Sequence, residues 1–323
     1  MKAAVHARYG PPEVLRVDEV ATPVPAANEL LVRVRYSSVN RTDCGFLRAR
    51  PFITRLFSGL LRPRHTALGC EFAGRVEAVG GAVTRFAVGD AVFGFDDARW
   101  GGHAQYKVIA EDRAVVKTPD GITDEQAAVS SEGAHYALVW VRALKVRPGQ
   151  RVLVHGATGA IGSAAVQLLR HAGAHVVATS TTRNVELVRG LGAERVIDHE
   201  REDFTRCGET FDVVFDAVGK SSFAACRRLL VRGGIYVSTE LGTMAQNPLL
   251  ALFGPLCKLV GARRVLFPIP SCTQADLEFL RDRLARGELR PVIDRVYPLD
   301  DIVSAFRYVE TGQKTGNVVI RIA

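Results

Sequence analysis

The chain has 323 residues, 47% hydrophobic and 24% charged, with 42 Lys and Arg against 34 Asp and Glu. This is the composition of a globular protein with room for two domains and large cores, and it excludes a disordered or fibrous chain. No apolar run reaches the roughly 18 residues of a spanning helix, the N-terminus has no secretory apolar stretch, and the scattered cysteines form no C-x-x-C pair. The expectation is therefore a cytoplasmic protein with neither disulfide frame nor metal site.

Residues 1 to 123 read as β-rich. Ala3 to His6, Leu15 to Val20, Leu30 to Tyr36 and Glu71 to Val79 have strand character, punctuated by Pro11-Pro12, Pro23 to Pro25 and Gly80-Gly81. Shorter strands follow around Val92 and from Ala104 to Ile109, which together predict a compact barrel-like β-domain. Much of the net charge of +8 lies between Cys44 and Cys70, where Arg48, Arg50, Arg55, Arg62, Arg64 and His65 alternate with Phe52, Leu56, Phe57 and Leu60, and no acid intervenes. Such a stretch could meet an anionic surface. A helical flap with a solvated basic face over a pocket is the preferred reading, and no membrane or nucleic-acid partner is expected.

Thr123 caps a helical stretch from Asp124 to Leu144. On a helix Glu132 lies one turn from His135 and Tyr136, so carboxylate, imidazole and phenol could form a proton relay. The alternative is an ordinary helix in which Tyr136 packs in the core and Glu132 caps a neighbour. Pro148-Gly149 then resets the chain into R-V-L-V-H-G-A-T-G-A-I-G-S-A-A-V-Q-L-L-R, Arg151 to Arg170. A short apolar strand turns through Gly156, Gly159 and Gly162 into a helix. Glycines allow a close backbone approach to a pyrophosphate, and a helix N-terminus offers free N–H groups and partial positive charge. The next strand, His175 to Thr179, ends in Ser180, Thr181, Thr182 and Arg183, where a dinucleotide-binding unit usually places an acid for the ribose 2′-hydroxyl. No Asp or Glu occurs between Arg151 and Val185. Hydroxyls and a guanidinium suit a 2′-phosphate, which points to NADPH rather than NADH. Strand and helix alternate to about residue 240, the pattern of a doubly wound parallel sheet. Residues 249 to 270 are apolar with prolines, Gln274 to Arg286 and Asp301 to Val309 read as helices, and Asn317 to Ile322 is a last strand.

Several motifs together carry a resemblance. They are Y-G-P-P-E-V-L at Tyr9, S-V-N-R-T-D at Ser38, F-A-G-R-V-E-A-V-G at Phe72, V-G-D-A-V-F-G at Val88, the glycine segment from Pro148, L-G-A-E-R-V-I-D at Leu191 and F-D-V-V-F-D-A-V-G at Phe211. The chain resembles the medium-chain dehydrogenase/reductase superfamily, and most the zinc-free quinone oxidoreductase and enoyl reductase branch. The resemblance implies an α/β chain with a GroES-like β-domain (residues 1–123 and 267–323) and an inserted Rossmann domain with a doubly wound parallel sheet (residues 124–266). It also implies a homodimer.

Zinc alcohol dehydrogenases carry a cysteine where this chain has Ser37 or Ser38, and Gly-His-Glu where it has Gly69-Cys70-Glu71. Cys70 and Glu71 alone cannot supply the three ligands of a catalytic zinc, so no metal is expected. The resemblance places Asn40 and Asp43 near nicotinamide and substrate, and Thr158 to Gly162 (with Ala160 and Ile161) on the pyrophosphate. Ser180 and Arg183 would lie on the 2′-phosphate. Ala217, Val218 and Gly219 would line the adenosine ribose or nicotinamide side, and Ser238, Thr239, Asn317 and Val318 would approach the nicotinamide end. The leading expectation is an NADPH-dependent enzyme that passes hydride to an apolar quinone or α,β-unsaturated carbonyl, with His135 or Tyr136 as the candidate proton donor and Glu132 orienting His135. The alternatives are a zinc-independent ketone or aldehyde reductase and a non-catalytic NADPH-binding protein.

Overall fold

The computed structural model describes residues 1–323. The chain begins with β1 (Lys2–Val5), β2 (Arg16–Glu19) and the long β3 (Glu29–Val39), followed by α1 (Arg41–Arg48) and α2 (Thr54–Ser58). Next come β4 (Glu71–Val79), β5 (Ala91–Phe95), β6 (Tyr106–Ala110), β7 (Val115–Lys117) and α3 (Asp124–Ala128). α4 (Glu132–Leu144) leads into β8 (Arg151–His155), α5 (Ala160–His171), β9 (His175–Ser180), α6 (Val185–Leu191), β10 (Arg195–Asp198) and β11 (Phe211–Asp216). α7 (Phe223–Cys226), β12 (Leu230–Ser238), α8 (Gln246–Leu252), α9 (Gly254–Leu259) and β13 (Arg264–Leu266) follow. The chain closes with α10 (Gln274–Ala285), β14 (Ile293–Pro298), α11 (Ile302–Glu310) and β15 (Asn317–Arg321).

Two compact units form. One holds Met1–Glu132, Cys272–Arg286 and Pro291–Ala323, the other Gly133–Ser271 and Gly287–Arg290. The boundaries expected at 123/124 and 266/267 thus move to 132/133 and 271/272, and residues 287–290 return to the second unit. The first shift has a direct cause: α3 packs on β3, β4 and β5 of the first unit. The single helix expected from Asp124 to Leu144 is two. Ser130 Oγ donates back to the Gln126 carbonyl one turn earlier (2.6 Å), whereas Ser131 Oγ reaches Glu71 Oε2 (2.8 Å) and the Gly94 carbonyl (3.2 Å), outside the helix, where the ladder breaks.

In the first unit, strands run in the order β14-β15-β3-β4-β5-β7, with β6 also paired to β3. β15 lies antiparallel to β3, Val318 opposite Val39, so both chain ends build one sheet. Alternation along β3 buries Leu30, Val32 and Val34 completely. α11 adds Ile302, Ala305, Phe306 and Val309 from one helical face; burial of a side chain such as Phe306 stabilises by roughly 1.5–3 kcal/mol.

The second unit is a wholly parallel sheet, β10-β9-β8-β11-β12-β13. β8 comes first in the chain, and its neighbours β9 and β11 lead the sheet in opposite directions. The carboxyl ends of β8 and β11 are therefore a topological switch point, where open α/β sheets bind ligands. No helix is long and apolar enough to cross a membrane.

Candidate active site

In the second unit, the residues expected to hold a dinucleotide gather at the switch point. Gly156 follows β8 with φ +81°, a conformation glycine adopts without strain, and Gly159 is the N-cap of α5. A Cβ on Gly162 would lie 2.1 Å from the Gly156 carbonyl oxygen, so only glycine lets α5 start this close to the turn. Thr158, Ala160 and Ile161 complete this turn at the helix N-terminus. Val218 packs on Gly156, where a Cβ would meet its Cγ1 at 2.4 Å. Asp216, fully buried at the end of β11, shapes the loop of Ala217, Val218 and Gly219. One carboxylate oxygen accepts the N–H groups of Val218 (3.2 Å) and Gly219 (2.8 Å); the other accepts Ser221 N–H and the Tyr236 hydroxyl, each at 3.0 Å. Thr239 N–H donates to the Asp216 carbonyl (3.1 Å), and the Ser238 carbonyl accepts Trp140 Nε1 (3.1 Å). The glycine turn, the α5 N-terminus and this braced loop fit a dinucleotide.

At the end of β9 the Thr182 hydroxyl donates to Asp198 Oδ2 (2.6 Å) and its N–H to Glu200 Oε2 (2.9 Å). Ser180 Oγ donates to the Thr181 carbonyl (3.0 Å), and Thr181 Oγ1 accepts the Asn184 amide (3.1 Å). The missing acid is thus missing only locally. Two carboxylates arrive from the end of β10 and hold the loop that carries Arg183.

His135 is buried in α4, and its ring lies 4.5 Å from that of Tyr136, which in turn lies 5.9 Å from Trp140. The Glu132 carboxylate accepts the Asn40 amide (2.9 Å) and lies 3.1 Å from the Cys70 sulfur.

In the first unit, Asn40 and Asp43 belong to a dense buried polar cluster. Asp43 Oδ2 accepts the Asn40 N–H (2.8 Å) and caps α1, while Oδ1 accepts the Gly69 N–H (3.0 Å). The Asn40 side-chain amide reaches Glu132 Oε2 (2.9 Å), Glu71 Oε1 (3.1 Å) and Ser38 Oγ (3.1 Å). Glu71 also accepts the Ser38 hydroxyl at 2.5 Å, the Ser131 hydroxyl at 2.8 Å and the Glu132 N–H at 2.7 Å. Cys70 Sγ lies 3.1 Å from Glu132 Oε2. Lys314, in the turn between α11 and β15, donates from Nζ to Asn40 Oδ1 (3.2 Å) and to the Gly316 carbonyl (2.5 Å).

Burial disfavours charge here, and the acids repel one another. Asp43 is raised well above the carboxylate range by burial and then by the Glu132 charge, and Glu71 is raised to about 7 by the same two causes. Burial, with Glu132 next, pushes the Cys70 thiol well up. Burial lowers Lys314, and the charges of Glu132 and Glu71 oppose that. Asn317, also expected at the site, is buried in β15; its Nδ2 donates to the Val292 carbonyl (3.0 Å) and its Oδ1 has no partner. The adjacent Val318 is core.

The fold and sites define a dinucleotide-binding oxidoreductase architecture, and comparison with known proteins agrees. Residues 26–120 match the alcohol dehydrogenase GroES-like domain family and residues 191–320 the zinc-binding dehydrogenase family. The chain is 31% identical to the 2-methylene-furan-3-one reductase of Solanum lycopersicum, over 99% of this chain and 79% of the relative. It is also 31% identical to a quinone oxidoreductase of Pseudomonas aeruginosa, over 97% of each. The solved quinone oxidoreductase from Coxiella burnetii superposes with a TM-score of 0.87 at 27% identity, covering 100% of this chain and 99% of that one. The protein belongs to the medium-chain dehydrogenase/reductase superfamily, in its quinone oxidoreductase and enoyl reductase branch. It is a member of a nicotinamide-dinucleotide-dependent oxidoreductase family.

The family description raises the question of zinc. Donor atoms of Asp43, Cys70 and Glu132 lie within 4.8 Å of one another. Their chemistry does not suit the ion. Both Asp43 oxygens hold backbone N–H groups, no imidazole joins the set, and the Lys314 amine already borders it through Asn40.

Sequence reasoning left Ser38, Ser131 and Lys314 without a role, and it saw Cys70 and Glu71 only as an incomplete zinc motif. The local signal was an acid directly after a serine pair, at Ser130-Ser131-Glu132, and a second acid five residues after Ser38, at Asp43. Nothing local marked Lys314.

Proposed function

We propose that the protein is an NADPH-dependent reductase of quinones or α,β-unsaturated carbonyls that works without a metal. The observation that carries this is the first unit's polar cluster. It combines three buried carboxyl groups, a buried thiol and the Lys314 amine, and its donor set holds no imidazole. Without a Lewis acid, an acceptor that delocalises the incoming charge is favoured over a simple alcohol and ketone pair, whose alkoxide keeps that charge on one oxygen. A conjugated acceptor spreads the incoming charge over its own π system. The names of the relatives, a furanone reductase and a quinone oxidoreductase, support the same acceptor class.

Gly156, Gly159, Gly162 and the α5 N-terminus would hold the pyrophosphate, the 217–219 loop would flank the cofactor, and Arg183 with Ser180 would meet the 2′-phosphate. Bound there, the dihydronicotinamide supplies a hydride. Asp198 and Glu200 grip Thr182 and thereby position Arg183 rather than contacting the phosphate. The open edge at β13 supports pairing of two copies into a homodimer.

The test is NADPH consumption by metal-stripped protein against quinones, enones, aldehydes and ketones, with NADH alongside. Turnover of a quinone or enone with NADPH preferred is expected. Turnover of aldehydes or ketones alone, or activity only after zinc is added, would refute the proposal.

A further inference from the structure

Most of the buried cluster is closed to solvent. Ser38, Asn40, Asp43, Cys70, Glu71, Ser131 and Glu132 are all buried, whereas Lys314 is only partly so. Lys314 is therefore the one member of the cluster with partial exposure. Its ammonium has three N–H donors and engages two, toward Asn40 Oδ1 and the Gly316 carbonyl.

The turn that carries it is braced. Asp294 Oδ2 accepts the Thr315 N–H at 2.7 Å and the Tyr308 hydroxyl at 2.8 Å. Gly316 has φ +75°, and a Cβ there would come within 2.2 Å of the Val292 carbonyl oxygen. A long flexible side chain is thus fixed at both ends, by a rigid turn and by the Asn40 amide. That same amide bonds to Glu132 and Glu71 on its other side, so the cation and the acids are parts of one hydrogen-bonded assembly.

We propose that the third N–H of Lys314 binds the carbonyl oxygen of the substrate and stabilises the negative charge that hydride addition places on it. The inference rests on the proposed function: Lys314 would serve the electrostatic role that a zinc ion plays elsewhere. In the step, hydride forms a C–H bond at the β-carbon and the C=C electron pair moves toward the carbonyl. The oxygen becomes an enolate oxyanion held by the ammonium, and a proton from water then completes the saturated ketone. A preorganised donor of this kind costs no reorganisation as charge develops.

The experiment compares wild type with Lys314→Met and Lys314→Arg on cyclohexenone and on 1,4-benzoquinone. Wild-type turnover of these acceptors tests the proposed function; only the variants test Lys314. By the magnitude typical of one oxyanion donor, Lys314→Met should lose about 10²- to 10³-fold in kcat on the enone. It should lose far less on the quinone, whose product anion is stabilised by its own aromatic ring. Lys314→Arg, which keeps the cation, should recover much of the enone rate. A second readout needs no turnover: with NADP⁺ bound, wild type should lower the pKa of added 4-nitrophenol, read from phenolate absorbance, and Lys314→Met should not. Should the Met variant fail to fold, Lys314→Gln replaces it. Equal losses on both acceptors, an unchanged enone rate, or a nitrophenol pKa that wild type leaves in place would each overturn the proposal.

Discussion

Replacing Glu71 with glutamine tests the electrostatics of the buried cluster. Glu71 is fully buried and its pKa is raised from 4.5 to about 7, chiefly by burial and then by the charge of Glu132. Its native pKa therefore lies above its unfolded value. Between pH 4.5 and 7 the native chain keeps a proton that the unfolded chain has released, so stability is fullest below 4.5 and falls as pH rises. The change amounts to about 3 kcal/mol by linkage. Glutamine removes this titration. It also turns its one amide nitrogen toward a donor that now meets a carboxylate oxygen, either the Asn40 amide or the Glu132 N–H, at a pH-independent cost of about 1–3 kcal/mol. The assay is urea unfolding of wild type and Glu71→Gln in a Trp140→Phe background, where buried Trp100 of the first unit is the remaining tryptophan reporter. The variant should be the less stable at pH 5, and the gap should narrow by about 2–3 kcal/mol by pH 8. A gap that stays constant from pH 5 to pH 8 would refute the reasoning.

Two further predictions concern the second unit. Gly162→Ala places a methyl group 2.1 Å from the Gly156 carbonyl oxygen, so the turn must open, and NADPH affinity, read by quenching or enhancement of nucleotide fluorescence, should fall about tenfold or more. Arg183→Ala should weaken NADPH by roughly 1.5–3 kcal/mol, the worth of a charge-assisted hydrogen bond, and leave NADH nearly unchanged in the same titration. Equal effects on both nucleotides would remove the 2′-phosphate assignment.

Much of the nucleotide site was legible in the letters because its determinants are local. Three glycines between an apolar strand and a helix state their own backbone requirement, and Gly156 and Gly162 meet it as expected. The specificity loop was less legible. The absence of an acid between Arg151 and Val185 is a property of one segment, yet Asp198 and Glu200 reach that loop from the neighbouring strand, 16 and 18 residues beyond Thr182. The helix read from Asp124 to Leu144 had the right composition but missed a break that depends on Glu71 and Gly94.

By itself the sequence determined the class of fold, the glycine turn between β8 and α5, and the family. Each follows from short-range periodicity, from glycine at particular spacings, or from motifs that run in order along the chain. The tertiary structure alone decided the chemistry of the first unit. Asn40 meets Glu132 across 92 positions and Lys314 across 274, and Glu71 meets Ser38 across 33. No local pattern encodes such contacts. The pairing of β15 with β3 and the break between α3 and α4 bring these side chains into one cluster, and there burial and mutual charge shift the titration of carboxyl groups, a thiol and a lysine together.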